Sequence, residues 1–389
     1  MIKKITILLF LFLSGTVFSQ TYIPGTSYFG RAEYIEYIAG NLPLILSVPH
    51  GGNLEPAEIP DRTCGETVTD SYTKELAASV QEEIMEMTGC TPHIIICHLK
   101  RTKLDVNREV DIATCGNQFA DTAWNEYHTF IDSAKAAVVR NSGKGLLIDL
   151  HGHGHAIQRL ELGYLLSAVQ LAYPDASLNQ AAIIEISSIR SLAGTNINNL
   201  AHSDLLHGLF SLGTMFADRR YPAVPGIDEP YPFSGESYFS GGYITGRHGS
   251  STGGTVDAIQ IECNQDVRFE ETARNSFAAA AAAIFLNYLI KHYFPNLPDT
   301  YCNTASPELP DEGEFFIYPV PFNSDITVRV SHPCQLNIYN LMGELMISRD
   351  VTGEEKINTE GLVNGTYLAI LSSGGEVVYR CKIIKGSTR

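Results

Sequence analysis

The sequence predicts an α/β fold with a mostly parallel or mixed sheet, covered by helices on both faces and followed by a small all-β sandwich. From residue 42 onward, apolar strand-like runs alternate with stretches whose apolar residues recur at helical spacing. After residue 314, only short strand-like runs separated by Gly- or Asn-containing turns remain. The chain has 389 residues, a length that favours two domains.

The predicted elements of the first domain follow one another along the chain. Predicted strands cover residues 44–48, 93–98, 146–150, 162–168 and 258–262. Predicted helices cover residues 67–87, 118–139, 181–192, 201–216 and 266–288. Residues 221–254 are rich in Pro, Gly, Ser and Tyr, and a loop of this length in a compact domain is usually functional.

The beginning of the chain and its composition predict an exported protein with four segments. Residues 1–19 have a basic start, an apolar stretch and a small-residue exit, which is the pattern of a secretory signal peptide. A hydrolase-like domain at 20–294, a Pro- and Asp-rich linker at 295–314 and the sandwich at 315–389 follow. No later apolar run reaches the roughly 18 residues of a membrane span. The net charge of −16, without a basic stripe, argues against nucleic acid as a partner.

Eight cysteines in an exported chain permit disulfides. None of them shows the CxxC spacing of a structural metal site. We expect Cys64 to pair with Cys115, since both lie in loop-like sequence, and Cys334 to pair with Cys381.

Two histidine-rich stretches each follow an apolar, β-rich run. Residues 49–55 read PHGGNLE, and residues 149–155 read DLHGHGH. The loops after the carboxyl ends of strands form the site of an α/β sheet. Imidazoles and a carboxylate at that edge are the parts of a catalytic zinc site, which leaves one coordination position open. Asp149 either orients a ligating imidazole or caps a turn.

Three residues in these stretches fit the ligand positions of such a site. His50 and Glu55 lie on one tight loop and supply the first two ligands. His151 supplies the third because it is nearest to its strand end, although His153 and His155 compete for the same position. The sequence thus predicts Zn²⁺ as the cofactor.

Other charged residues are candidates for binding the substrate. Asn107 and Arg108 follow the second predicted strand and suit capture of a substrate carboxylate, and Arg101 is a further candidate. The alternative is a solvated charged loop. Arg247, in the long Gly-rich loop, either anchors the substrate, polarises its carbonyl group or lies on the surface.

Glu262 ends the apolar strand predicted at 258–262. A carboxylate at a buried strand end is either a capped edge charge or a catalytic base. Next to a metal, we expect the base, which takes a proton from water and passes it to the leaving nitrogen.

Five motifs occur in this order: PHGG at 49–52, DVNRE at 105–109, DLHGHGH at 149–155, GGYITGRHG at 241–249 and AIQIE at 258–262. Together they resemble the N-formylglutamate amidohydrolase family, which has the fold and zinc chemistry of the metallocarboxypeptidases. The resemblance spans residues 42–288. The spacing of His50 and Glu55 is also similar to that of the phage poly-γ-glutamate hydrolases.

The resemblance implies roles for individual residues: metal ligands at His50, Glu55 and His151, a substrate-carboxylate anchor at Arg108 and a general acid/base at Glu262. In some members of the family, a downstream acid corresponding to Asp70 takes the place of Glu55. Asp70 therefore remains the alternative second ligand, with Glu55 preferred.

The expected function is a secreted zinc-dependent amidohydrolase or peptidase that cleaves an amide bond near a substrate carboxylate. N-acyl-amino acids, γ-glutamyl peptides and cell-wall peptides are the substrate classes that fit. The alternative is a catalytically inactive surface binding protein of the same fold. An esterase with a serine nucleophile is disfavoured because the GxSxG pattern at residues 249–253 lies within the predicted loop at 221–254 and does not follow a predicted strand.

The C-terminal residues carry a second set of motifs: YPVPFN at 318–323, NLMGE at 340–344, LVNGTY at 362–367 and KIIK at 382–385. They resemble the C-terminal sorting domain of type IX secretion substrates, whose usual YPNPF pattern this chain departs from at Val320. The resemblance implies export through the periplasm and the outer membrane to the cell surface or beyond. It makes the type IX secretion machinery a partner.

Overall fold

The structure is a computed structural model that describes residues 22–297, 315–318, 322–340, 344–374 and 376–386. The predicted signal peptide and residues 298–314 of the predicted linker lie outside the described residues. The chain divides into two compact units, with the boundary between Cys302 and Asn303. Among the described helices, none is both long and apolar enough to cross a membrane.

The described part of the first unit contains eight strands: β1 (Ser27–Phe29), β2 (Ile35–Ile38), β3 (Leu44–Val48), β4 (His93–Cys97), β5 (Gly145–Gly152), β6 (Leu160–Gly163), β7 (Ala223–Val224) and β8 (Val256–Cys263). Its α-helices are α1 (Thr73–Thr88), α2 (Val110–Thr114), α3 (Gln118–Ser142), α4 (Ala168–Leu171), α5 (Asp175–Leu178), α6 (Ala181–Ile184), α7 (Arg190–Thr195), α8 (His202–His207), α9 (Leu212–Ala217), α10 (Tyr243–His248) and α11 (Glu271–His292).

The eight strands form one mixed sheet in the order β1-β2-β4-β3-β5-β8-β6-β7. Strands β4, β3, β5 and β8 run parallel, while β2 and β6 join them antiparallel. Every residue of β3 is buried: Leu44 and Leu46 pack in the core that contains α1 and α11, and Ile45 packs in the core that contains α3. Helices thus cover both faces, which confirms the predicted mixed α/β class.

Several elements are shorter than the sequence predicts. Helix α1 begins at Thr73 rather than at residue 67. The predicted strand at 162–168 ends at Gly163, and Leu165 adopts a positive φ of 64° that no strand accommodates. The predicted helices at 181–192 and 201–216 are each split in two. At the second break, a Cβ on Gly208 would lie 2.6 Å from the Asp204 carbonyl oxygen.

A disulfide joins the loop after β3 to the loop after β4. Cys64 and Cys115 are bonded across a sequence separation of 51, as predicted. Beside it, the buried Arg62 donates hydrogen bonds to the carbonyl oxygens of Arg101 (2.7 Å) and Ile112 (3.0 Å). The disulfide and the Arg62 hydrogen bonds thus connect the long loop after β3 to the long loop after β4.

The second unit is all-β, as predicted, with strands β9 (Phe315–Tyr318), β10 (Asp325–Val330), β11 (Cys334–Asn340), β12 (Leu345–Val351), β13 (Glu354–Asn358), β14 (Gly365–Ser373) and β15 (Glu376–Lys385). They form two antiparallel sheets, ordered β13-β10-β9 and β12-β11-β14-β15. Side chains from both sheets share one core, including Val328 and Ile338.

The predicted Cys334–Cys381 disulfide is wrong, because both residues are free thiols. Cys381 pairs with Ala369, which pairs in turn with Ile338, so Cys381 is two strands away from β11 and level with its fifth residue. Four residues along a strand span about 13 Å, whereas disulfide-bonded Cα atoms lie within about 7 Å.

Removing the disulfide as Cys64→Ala/Cys115→Ala should lower the free energy of unfolding of the first unit by about 2 to 4 kcal/mol, because the unfolded chain regains the freedom of a long loop. Urea titration followed by the fluorescence of Trp124, the single tryptophan, measures that unit. Cys381→Ser removes a thiol from the other unit and should leave the transition unchanged. Equal stability of the double variant and the wild type would contradict the prediction.

Candidate metal centre

Three side chains converge at the carboxyl edge of the main sheet. His50 follows β3, His151 lies near the end of β5, and Asp70 precedes α1. Their ligand atoms all lie within 4.8 Å of one another, and all three residues are buried. The carboxylate oxygen Oδ2 of Asp70 is 3.3 Å from His50 Nδ1 and 3.1 Å from His151 Nδ1. The group therefore offers two nitrogens and one carboxylate oxygen to a single point.

Each imidazole is also oriented by a further carboxylate, which contacts the ring nitrogen that faces away from Asp70. His50 Nε2 lies 2.7 Å from Asp105 Oδ1, and His151 Nε2 lies 3.1 Å from Asp149 Oδ2. When Nε2–H donates to these carboxylates, the lone pair of each Nδ1 points at Asp70. Lone pairs and a carboxylate facing one another in a buried site need a cation or a shared proton between them, and this arrangement is common around zinc. The donor set therefore fits Zn²⁺.

The electrostatics of the group favour a positive charge at the same point. Burial lowers the pKa of His151, but Asp149 and Asp70 outweigh burial and hold it well above its ordinary value. Burial raises the pKa of Asp70, but the two histidines outweigh burial and hold it well below its usual range. The cluster thus retains a proton or a cation and keeps Asp70 ionised.

The structure brings Asp70 and not Glu55 to this group. Leu54 forms an isolated bridge with Leu99, and the extended segment carries Glu55 towards Lys100, whose Nζ lies 2.7 Å from Glu55 Oε1. The Glu55 side chain is 49% exposed. The chain then returns through a long loop, and the backbone N–H of Asp70 donates to the carbonyl oxygen of His50 (3.1 Å).

Glu262 lies beside the group on the neighbouring strand. Its register partner on β5 is His151, so the two side chains share one face of the sheet. The side-chain amide of Gln260 donates to Glu262 Oε1 at 2.9 Å. Burial raises the pKa of Glu262 to about 8; nearby carboxylates add to this, and His151 opposes it. Such a carboxyl group can hold or release a proton near neutral pH.

Two of the predicted substrate-binding residues, Arg101 and Asn107, form hydrogen bonds within the protein. Arg101 is buried and bonds through Nε (3.1 Å) and Nη2 (3.0 Å) to Asp105 Oδ2, with Nη1 3.2 Å from the Val68 carbonyl oxygen. Asn107 is buried as well, and its Oδ1 accepts the backbone N–H of Ile244 at 2.8 Å. Arg101 therefore braces the carboxylate behind His50, and Asn107 anchors the start of α10.

The other two candidate arginines are more accessible. Arg108 is half-buried on the loop after β4, and its Nη1 donates to the carbonyl oxygen of Asn107 at 2.8 Å. Arg247 is exposed on α10, where its guanidinium lies 5.4 Å from the Trp124 ring centroid and donates to the Tyr243 hydroxyl at 3.1 Å. Arg108 thus lies on a loop at the same edge of the sheet as His50 and His151.

The two later histidines of the DLHGHGH motif lie apart from the first group. His153 and His155 meet Glu161 in a second cluster instead. Their separation from His151 follows from the chain path, because β5 ends at Gly152 and the strand periodicity ends with it.

Sequence reasoning assigned no role to two residues that shape the site. Asp105 orients His50, and its place in the DVNRE motif was the available signal. The buried Arg268 donates hydrogen bonds to the carbonyl oxygens of Ser71, Cys263 (2.9 Å) and His153 (3.1 Å). It thereby ties together the segments that follow Asp70, Glu262 and His151. A Cβ at Gly152 would overlap its guanidinium, which explains one glycine of the DLHGHGH motif.

Comparison with known proteins identifies the second unit. Residues 316–385 match the family described as a secretion system C-terminal sorting domain. This domain marks proteins that the type IX secretion system exports to the cell surface or the extracellular space. A search of the curated proteins found no match.

Solved structures with partial similarity cover most of the chain. N-formylglutamate amidohydrolase from Ralstonia eutropha JMP134 aligns at 13% identity and a TM-score of 0.40, covering 68% of this chain and 96% of its own. A gene product of Agrobacterium tumefaciens aligns at 11% identity and a TM-score of 0.39, and the alignment covers 66% of this chain and 94% of that protein. Succinylglutamate desuccinylase from Chromobacterium violaceum aligns at 11% identity and a TM-score of 0.30, and the alignment covers 77% of this chain and 86% of that protein. At these values the similarities say nothing about the chemistry of this chain.

Two matched carboxylate-to-amide substitutions test the ligand set. Asp70→Asn should lower zinc affinity by at least about tenfold, because it removes the charged ligand between two imidazoles. Glu55→Gln should bind zinc as the wild type does, since Glu55 faces Lys100. Zinc content after dialysis and titration against a chromophoric chelator measure both. Loss of zinc in Glu55→Gln with retention in Asp70→Asn would restore Glu55 as the ligand.

Proposed function

We propose that the first unit is a zinc-dependent amidohydrolase or peptidase that cleaves an amide bond near a carboxylate of its substrate. The substrate is an N-acyl-amino acid, a γ-glutamyl peptide or a cell-wall peptide. One observation carries the proposal: a buried group of two imidazoles and a carboxylate has a buried carboxyl side chain, Glu262, as its neighbour across the sheet. Metal ligands with an adjacent acid/base are the parts that metal-assisted amide hydrolysis uses.

The residues that would hold the metal are His50, Asp70 and His151. When bound, Zn²⁺ supplies Lewis-acid polarisation of a carbonyl group and lowers the pKa of a coordinated water. Asp105 and Asp149 keep Nδ1 of the two histidines free of protons by accepting from Nε2. Three protein ligands leave a position open for chemistry, as catalytic rather than structural zinc sites do.

Glu262 moves the proton. As a carboxylate it accepts a proton from the attacking water at Oε1 or Oε2, and as the acid it donates that proton to the leaving nitrogen. Its burial and its raised pKa of about 8 favour the second step, since the protonated form persists at neutral pH. The amide of Gln260 fixes the orientation of the carboxyl group (2.9 Å).

A cation near the same edge supports recognition of a substrate carboxylate. Arg108 is half-buried on the loop after β4, and β4 is the neighbour of the strand that leads to His50. A guanidinium binds carboxylates with two parallel hydrogen bonds. Arg101, whose nitrogens already serve Asp105 and Val68, has less capacity for substrate.

The compartment suits extracellular substrates. Because the sorting domain directs the protein to the cell surface or beyond, peptides and acylated amino acids outside the cell are the available amides. The proposal is tested by incubating the zinc-loaded protein with panels of N-acyl-amino acids, γ-glutamyl peptides and muropeptides and detecting new amines. Zinc binding without turnover of any panel would favour the alternative, a binding protein of the same fold.

Glu262→Gln should reduce kcat by about 10²- to 10⁴-fold, because the amide cannot accept or donate the proton. Its zinc content should equal that of the wild type. Glu86→Gln, on the exposed face of α1, serves as the matched control and should retain full activity. Wild-type turnover by Glu262→Gln would refute the assigned base and leave the metal assignment standing.

A further inference from the structure

The second cluster, formed by His153, His155 and Glu161, has the donor types of a metal site but other commitments. Their candidate ligand atoms lie within 4.8 Å of one another. However, His153 Nε2 is bonded to the Arg159 carbonyl oxygen (2.8 Å), and its Nδ1 accepts the backbone N–H of His155 (3.1 Å). Because both nitrogens of His153 are occupied by backbone groups, the cluster is better described as a hydrogen-bonded His155–Glu161 pair.

Glu161 is a buried carboxyl group with two hydrogen-bond partners. Its side chain is 1% exposed, and it lies directly opposite Glu262 in the antiparallel pairing of β6 with β8. Two carboxyl groups facing each other in a buried site destabilise it unless one of them is compensated. Glu161 Oε1 pairs with His155 Nδ1 at 2.8 Å, and Oε2 accepts the backbone N–H of Phe239 at 2.8 Å. Of these partners, only His155 can carry a charge.

The other edge of the His155 ring is available. Its side chain is 24% exposed, and in the described part of the chain no residue forms a hydrogen bond with Nε2. The ring stacks on Phe239 with centroids 4.7 Å apart and an interplanar angle of 15°. The Phe239 loop is held by Arg159, which is ion-paired with Glu229 (3.0 Å) and Glu236 (2.9 Å). His155 thus presents its Nε2 in a fixed orientation at an accessible surface.

The position of the pair relates it to the candidate metal centre. His151, Glu262 and Glu161 are register partners on the adjacent strands β5, β8 and β6, so their side chains form a row on one face. Neighbouring strands are about 4.8 Å apart, which puts Glu161 about 10 Å from His151. Glu262 therefore lies between the metal ligands and the His155–Glu161 pair.

We propose that His155 is a substrate-binding residue whose Nε2–H donates to a second carboxylate of the substrate, on the side of Glu262 away from the metal ligands. The inference rests on the proposed function, since it names a contact for the same substrate. It also assigns Glu161 and Phe239 as positioning residues that hold the ring. Arg108 and His155 then bracket the reacting amide from opposite sides, because β4 and β6 lie on opposite sides of the metal-bearing strands.

The test uses the best carboxylate-bearing substrate of the panels and the same compound with its second carboxylate converted to a carboxamide. His155→Gln should raise KM for the carboxylate compound about 10- to 100-fold, the effect of losing a charged hydrogen bond. It should change the kinetics of the carboxamide less than about twofold. Glu161→Gln should shift KM in the same direction. His207→Gln removes the imidazole of another His–carboxylate pair, with Asp175, and should change neither compound.

A His155→Gln variant that keeps the wild-type preference for the carboxylate compound would overturn the inference while leaving the proposed function intact. If the wild type hydrolyses nothing, the proposed function fails. The inference is then judged by calorimetric binding of N-acetylated dicarboxylic amino acids to zinc-loaded wild type and His155→Gln. Equal affinities overturn it, and loss confined to the variant supports it. Two zinc ions per chain, one of them lost in His155→Gln, would overturn it in favour of a metal at this cluster.

Discussion

Two imidazoles and a carboxylate, all three buried, meet at the carboxyl edge of the main sheet. The Nδ1 atoms of His50 and His151 both face Asp70, and each is turned there by a carboxylate on the opposite nitrogen, Asp105 or Asp149. Groups of this kind cannot be buried side by side without a cation or a shared proton. The surrounding elements support these five side chains in that arrangement.

The topology of the sheet supplies most of that support. Because β3, β5 and β8 run parallel, their carboxyl ends lie at one edge of the sheet. His50, His151 and Glu262 therefore lie at that edge. Arg268 then ties the following segments together, and Arg101 holds the carboxylate of Asp105 in place. Strands position the two histidines and Glu262, and buried guanidinium groups hold the loops that complete the site.

The loop between His50 and Asp70 is the least regular part of the site, and it depends on covalent support. The Cys64–Cys115 disulfide and the hydrogen bonds of Arg62 tie it to the loop that carries Asp105. A disulfide in this role suits a chain whose sorting domain marks export, because oxidising compartments preserve such bonds. A disulfide that supports the site is therefore chemically compatible with export of the protein.

The sequence by itself determined the alternation of strands and helices, the strand-end histidines His50 and His151, and the sorting domain, because periodicity and short motifs are local signals. The tertiary structure alone shows that Asp70, and not Glu55, lies beside His50 and His151. The bridge between Leu54 and Leu99 directs Glu55 towards Lys100. The loop that follows brings Asp70, twenty residues after His50, back into hydrogen-bonding contact with His50. No periodic pattern encodes such a return, because it depends on contacts between segments that are distant in the chain.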